Sequence, residues 1–282
     1  MNYRHIYHAG NICDVVKHAV LTLILRHLHG KDKAFAVLDT HAGVGLYDLQ
    51  DPRALKTDEA AEGILRVLDA RPLPLLADYY AVLRKVNPLW EGKSAEGFRV
   101  YPGSPLIIFH SLRPQDRLMA CELHPDDFSA LRLASPADAR MQIHERDGFE
   151  AMGAFLPPAE KRGLVLIDPP FEQADEFTQI VKRVAAAHRR WATGIYMIWY
   201  PVKDRPALWK FHEALAATGT GKILCAEFIY QEETRADRLN GSGLIVINPP
   251  WKLDDELRTL FPALHEALAT GHRGSVVRWL AE

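Results

Sequence analysis

Apolar and polar positions alternate in blocks along this chain. Short apolar runs of strand length occupy 34–39, 117–122, 141–146, 164–168, 194–200, 222–230 and 244–248. Between most of them lie stretches of helical period, at 125–134, 148–156, 173–190 and 204–217. Such alternation predicts an α/β fold with a parallel, doubly wound sheet and helices on both faces. The last two strands lack a long helix between them. A turn at Asn240-Gly241-Ser242-Gly243 would make them an antiparallel pair at the sheet edge. Near the start, Asn11 is a good N-cap for a helix over 12–29 that Gly30 ends, with Asp14 placed as in a capping box. Residues 50–99 break the rhythm with Pro52, Pro72, Pro74 and Pro88 around helical patches at 58–69 and 76–86. The expected organisation is a main domain of 1–49 and 100–282, in which 1–33 form an arm and helix, with a helical subdomain inserted at 50–99.

Composition narrows the class. Hydrophobic content of 48% and charged content of 25% are those of an ordinary globular protein. No apolar run reaches membrane-span length, and the start, Met1-Asn2-Tyr3-Arg4-His5, lacks signal-peptide architecture. Cys13, Cys121 and Cys225 are scattered, which points to reduced thiols in the cytoplasm. No His, Cys and Asp grouping has metal-ligand spacing, so no metal is expected. A net charge of −2 means that a nucleic-acid partner needs a local patch. One candidate patch is the first 33 residues, with Arg4, Lys17, Arg26, Lys31 and Lys33; another is Lys182-Arg183 with His188-Arg189-Arg190-Trp191. Either also reads as a solvated helix face.

The chemistry concentrates at strand ends. Val165-Leu166-Ile167-Asp168-Pro169-Pro170-Phe171 is a buried strand stopped by a carboxylate, two prolines and a ring. Open α/β sheets bind ligands at such carboxyl ends. An acceptor side chain, a backbone carbonyl and a flat ring suit an exocyclic amino group on a planar base. The first strand runs into Asp39-Thr40-His41-Ala42-Gly43-Val44-Gly45, where a third dinucleotide-type glycine is replaced by Asp48. Two acids near that turn disfavour a pyrophosphate and suit a cationic or zwitterionic ligand such as S-adenosylmethionine. Glu122 ends the second strand, where an acid commonly takes ribose hydroxyls, and Asp147 ends the third, placed for an adenine amino group. Asp39, Glu122, Asp147 and Asp168 thus predict a cofactor rim. Ser104 is placed to cap a helix over 105–112 or to reach a ligand, and His18 and His41 fall near the glycine turn. Asn248-Pro249-Pro250-Trp251 is a second amide-Pro-Pro-ring ending, but on the seventh strand, expected near an edge. Asp168 is preferred to Asn248, with a supporting role for Trp251 left open.

These stretches together resemble a known family. Arg4-His5, His8-Ala9-Gly10-Asn11, Asp14-Val15-Val16-Lys17-His18, Leu38-Asp39-Thr40-His41-Ala42-Gly43, Tyr101-Pro102-Gly103-Ser104-Pro105, Asp168-Pro169-Pro170-Phe171 and Asn248-Pro249-Pro250-Trp251 resemble the RlmJ family of bacterial 23S ribosomal RNA adenine-N6 methyltransferases. The resemblance runs over essentially the whole chain. It implies a Rossmann-like class I S-adenosylmethionine-dependent fold with a small helical insertion, acting as a cytoplasmic monomer on one adenine of 23S rRNA. It implies cofactor contacts from His18, His41, Ser104, Glu122, Asp147, Gly148 and Asp168, with Asp168, Pro169 and Phe171 catalytic. Tyr3 matches a position near the substrate, and Arg4 and Lys17 are expected on the RNA as well. Relatives commonly carry tyrosine where this chain has Phe171, which leaves that ring a stacking role. Rival readings are a DNA adenine-N6 methyltransferase, which would want a target-recognition domain; a protein glutamine methyltransferase, which would favour Asn248; and an RNA-binding module without activity.

Overall fold

The uninterrupted apolar runs become strands covered on both faces. The computed structural model describes residues 4–233 and 238–282. Helix α1 (Ile12–His29) leads into strand β1 (Ala36–Asp39). A short antiparallel ribbon follows, β2 (Leu46–Asp48) with β3 (Val100–Pro102). Between its two strands lie helices α2 (Pro52–Thr57), α3 (Glu59–Glu62), α4 (Ile64–Asp69) and α5 (Ala77–Val86). Helix α6 (Ser104–Ser111) then opens a regular alternation: β4 (Arg117–Glu122), α7 (Pro125–Ala134), β5 (Met141–Glu145), α8 (Gly148–Phe155) and β6 (Gly163–Ile167). It continues through α9 (Glu176–Arg190), β7 (Ile195–Val202), α10 (Arg205–Ala216), β8 (Ile223–Ile229), β9 (Gly241–Ile247), α11 (Leu253–Ala267) and β10 (Gly274–Ala281).

Eight strands form one sheet in the order β10-β8-β9-β7-β6-β1-β4-β5. The β1, β4, β5, β6 and β7 strands are mutually parallel, β9 runs antiparallel between β7 and β8, and β10 runs antiparallel to β8. This is a doubly wound, Rossmann-like sheet, as the alternation of elements predicts. One face carries α1, α6 and α11 in a core that includes Val16, Ile107 and Phe261. The other carries α8, α9 and α10, with Met152, Val184 and Phe211. Side chains of α4 and α5, such as Ile64 and Leu83, share the first core with α1. Helix α1 is therefore buried nearly all round, which explains why its apolar residues show no single stripe.

Two expectations fail at the C-terminal end. The last two predicted strands do pair antiparallel, but β10, not β9, is the edge. Asn248 thus leaves an interior strand. The expected turn at Gly241-Ser242-Gly243 is the start of β9. Glycine is needed there for close approach, because a Cβ on Gly243 would lie 2.3 Å from the Tyr200 ring. Helix α11 and strand β10 are additions to the expected set. Pro262 inside α11 masked its helical period, although Asp254, Asp255 and Glu256 in the first turn and His265 in the last are favourable helix-end charges.

Candidate active site

Asp168 follows the last residue of β6, the strand beside β1, at the carboxyl edge of the sheet. Prolines 169 and 170 take the chain out of the ladder. Phe171 then adopts φ +52°, a left-handed conformation that an aromatic residue rarely holds unless its ring is fixed. Its ring lies 5.2 Å from Phe177 and 5.7 Å from Trp199.

Helix α1 ends its first turn against the same point. Asn11 accepts from the Asp14 N–H at 2.9 Å, as the capping pattern required. One turn on, Lys17 Nζ donates to Asp168 Oδ2 at 2.5 Å and lies 3.0 Å from Asp14 Oδ1. His5 Nε2 meets Asp14 Oδ2 at 2.8 Å. The result is a charged row, His5–Asp14–Lys17–Asp168. Burial alone would lower the Lys17 value, but the charges of Asp14 and Asp168 hold it well above the usual lysine range. Burial likewise opposes ionisation of Asp14, and His5 and Lys17 more than offset it, leaving its carboxyl well below the usual range.

Two adjoining cavities, of about 390 and 480 Å³, open along this edge and share His41, Glu122 and Pro170 in their walls. The first also holds Lys17, His18, Ser104, Asp168, Pro169 and Phe171; the second holds Asp147 and Gly148. All seven residues expected around a cofactor therefore line one cavity or the other. His18 stacks on Tyr101 and bonds its hydroxyl through Nδ1 at 2.7 Å, while Nε2 is buried without a protein partner. Burial and the Lys17 charge push His18 well below the usual histidine range, and burial takes His41 down to about 4. Both rings are neutral at physiological pH. Glu122 accepts from the N–H groups of Gly43 and His124 at 2.9 and 2.8 Å, and burial raises its value. Asp147 caps α8 through Glu150 N at 2.9 Å and still faces the second cavity.

Other expected residues fall elsewhere. Asp39 is fully buried and lines neither cavity; Oδ2 accepts from Ser104 Oγ at 2.7 Å and Oδ1 has no partner. The helix begins one residue earlier than expected, with Gly103 as its N-cap, so the Ser104 hydroxyl is free to make that bond. Burial pushes the Asp39 carboxyl up to about 7, against the Ser104 hydrogen bond. An acid raised in the folded state costs stability as pH climbs from the unfolded value near 4 to about 7. Asp39→Asn should thus match the wild type in melting temperature below pH 4 and exceed it progressively up to about pH 7. Melting curves across that range check the sign.

Three of the five cations of the N-terminal patch are held by carboxylates, while Lys31 and Lys33 stay exposed. Arg4 pairs with Asp126 and Asp127 at the start of α7, Arg26 with Glu256, and Lys17 is only 7% exposed. Neither Arg4 nor Lys17 is a free phosphate contact in this arrangement, because carboxylates already hold both. Tyr3 lies outside the described residues. The Asn248 amide donates to the carbonyls of Ala192 and Gly194, both at 2.8 Å, and Trp251 is 81% exposed and lines neither cavity. In that second motif the amide ties the end of β9 to the turn before β7, and the ring faces solvent. Sequence reasoning missed the site role of Asp14, whose spacing of three from Lys17 was the available signal, and that of Trp199, which lies within β7.

It also missed a buried cluster of His212, Cys225 and Glu227, whose potential ligand atoms lie within 4.8 Å of one another. The Tyr200 hydroxyl fills its centre, donating to Glu227 at 2.8 Å and bonding His212 Nε2 at 3.0 Å. Arg205 and Arg278 satisfy the outer atoms of Glu227 and His212. The cluster is a closed hydrogen-bond network of side chains.

A family model described as "Ribosomal RNA large subunit methyltransferase D, RlmJ" matches residues 32–281. The chain belongs to the RlmJ family. It is 42% identical over 283 residues to "Ribosomal RNA large subunit methyltransferase J" of Escherichia coli strain K12, covering 99% of each chain. The protein of that name from Haemophilus influenzae strain Rd is 42% identical over 282 residues, again with 99% of each covered. The crystal structure of protein LPL1258 from Legionella pneumophila superposes with a TM-score of 0.86 at 34% identity, covering 96% of this chain and 98% of that one. RlmJ relatives thus match the chain from end to end, helices α2–α5 included. Among the described residues no helix is long and apolar enough to cross a membrane.

Proposed function

We propose that this RlmJ-family chain is an S-adenosylmethionine-dependent methyltransferase that modifies the N6 amino group of one adenine in 23S ribosomal RNA. The observation that carries the reading is Asp168, held by Lys17 through one oxygen, beside the Phe171 ring at the mouth of a cavity. The two cavities have the size of small-molecule sites. Their walls fit the cofactor: an unpartnered buried nitrogen on His18, carboxylates on Glu122 and Asp147, and a floor without a side chain at Gly148. When bound, S-adenosylmethionine supplies an electrophilic methyl group on a sulfonium.

The chain's own residues do the rest. An adenosine that leaves its stack can enter the cavity, as enzymes acting on bases require. Phe171 stacks on it, worth about 1–3 kcal/mol. The Asp168 carboxylate and the Pro169 carbonyl accept the two N6 hydrogens. Lys17 occupies Oδ2, so Oδ1 is the oxygen left for the base. The N6 lone pair is delocalised into the ring and is a poor nucleophile. Hydrogen bonds to both protons favour a pyramidal nitrogen whose lone pair can point at the methyl group. Positive charge grows on N6 during transfer, and Asp168 stabilises it and takes the departing proton on to solvent. Asp14 balances the Lys17 ammonium, so that cation does not oppose the growing charge.

The test is transfer of radiolabelled methyl to 23S rRNA and to DNA of equal sequence, with modified adenines mapped. Methylation of one rRNA adenine is expected. Transfer to DNA alone, or to a protein glutamine, would refute the reading. A second expectation concerns the cavity floor. A Cβ on Gly148 would sit 2.1 Å from the Thr40 carbonyl oxygen, so Gly148→Ala must push β1 and α8 apart. A stability loss of about 1–3 kcal/mol is expected from such overpacking, together with weaker cofactor binding in calorimetry.

A further inference from the structure

The cavity extends past Asp168 along strand β7, where the site as described so far assigns nothing. Register builds this part. Ile167 of β6 pairs with Ile198 of β7, so Asp168 comes off the end of β6 beside Trp199, while β7 itself continues to Val202 along β9. Alternation along β7 turns Trp199 and Pro201 into the cavity wall, while Tyr200 and Val202 pack in the opposite core. Lys203, next in phase, stands at the rim. The Trp199 indole is pinned, with Nε1 donating to Ser242 Oγ at 2.9 Å. Its ring meets Phe171 at 68°. Two fixed rings at that angle form a corner in which a flat base lies on one face and meets the edge of the other. Lys203 is exposed and has no ion pair or hydrogen bond among the described residues, unlike Arg4 and Lys17.

We propose that Phe171, Trp199 and Lys203 form the nucleotide subsite: the two rings clasp the extruded adenine, and the Lys203 ammonium receives a phosphodiester of the RNA strand beside it. The proposal rests on the RNA-methylating reading and says which groups hold the nucleotide. A lysine at a cavity rim suits this task because it contacts phosphate as a flexible point charge and is indifferent to sequence. The base is held by rings, the backbone by charge, and the cofactor end of the cavity by neither.

Steady-state methyl transfer to a 23S rRNA fragment over a potassium chloride series tests it, with S-adenosylmethionine saturating. Lys203→Ala should raise the RNA KM about 3–10-fold, with a smaller change in kcat, and flatten the salt dependence of kcat/KM by about 0.7 in log–log slope, the value for one single-strand phosphate contact. Lys203→Glu should raise KM further. Lys222→Ala, an exposed lysine at the opposite end of the sheet, should match the wild type in KM and slope. Trp199→Phe keeps a ring but loses the Ser242 anchor; its RNA kcat/KM should drop about 5–10-fold with cofactor affinity by calorimetry unchanged. Wild-type KM and salt slope in Lys203→Ala, or full activity in Trp199→Phe, would overturn the subsite alone. A wild-type protein that transfers no methyl to RNA would remove the underlying function and the subsite together.

Discussion

Asp168→Ala should slow methyl transfer by about 10²–10³-fold, the loss expected when one preorganised partner of a developing charge is removed. Cofactor affinity should change only a few-fold, because His18, Ser104, Glu122 and Asp147 remain in place. The fold should survive, since Lys17 keeps Asp14 as counter-ion at 3.0 Å. Single-turnover rates at saturating cofactor and RNA separate the chemical step from binding. Asp168→Asn refines the result. It keeps an acceptor for one N6 hydrogen but no charge, so it should fall between the wild type and the alanine variant. An alanine variant with wild-type single-turnover rates would mean that this carboxylate does not polarise the amino group.

Lys17→Met should be the most destabilising of these substitutions. It leaves Asp14, which is 2% exposed, and Asp168 close together without the cation between them. Removing one partner from a buried ionic group typically costs about 3–5 kcal/mol. For a chain of this size that corresponds to a melting temperature lower by on the order of 10 °C. The sign of its pH dependence follows from Asp14. Its folded-state value is depressed, so its contribution is present above the unfolded value of about 3.8 and is lost as pH falls through the folded one. The deficit of the methionine variant should therefore be greatest near neutrality and shrink in acid, where carboxylates take up protons. A deficit that is flat from pH 3 to pH 8 would show that lost packing, and not lost charge pairing, is responsible.

Much of this site was legible because its residues sit where strands stop. Asp168, Glu122 and Asp147 each follow or end an apolar run, and a strand end in a parallel sheet fixes position well. Lys17 was legible as a member of a capped helix but not as the partner of Asp168, since residues 151 positions apart meet only through tertiary packing. That is why a buried ion pair was taken for an RNA-binding patch. Asp39 misled for the opposite reason. It has the right place on the strand, but Thr40 and His41 turn the chain so that its carboxylate faces inward to Ser104. The C-terminal helix and edge strand were hidden by a proline inside the one and by the absence of a further parallel crossover to demand the other.

Helix α1 has one more consequence. Because it is packed against β9 of the sheet and against α5, α6 and α11, it belongs to the densely buried part of the molecule that opens last. The groups it carries into the cavity are therefore a fixed jaw. A nucleoside meets that wall ready-made, so any adjustment to its shape falls to the loop after β6 that carries Phe171, not to the helix.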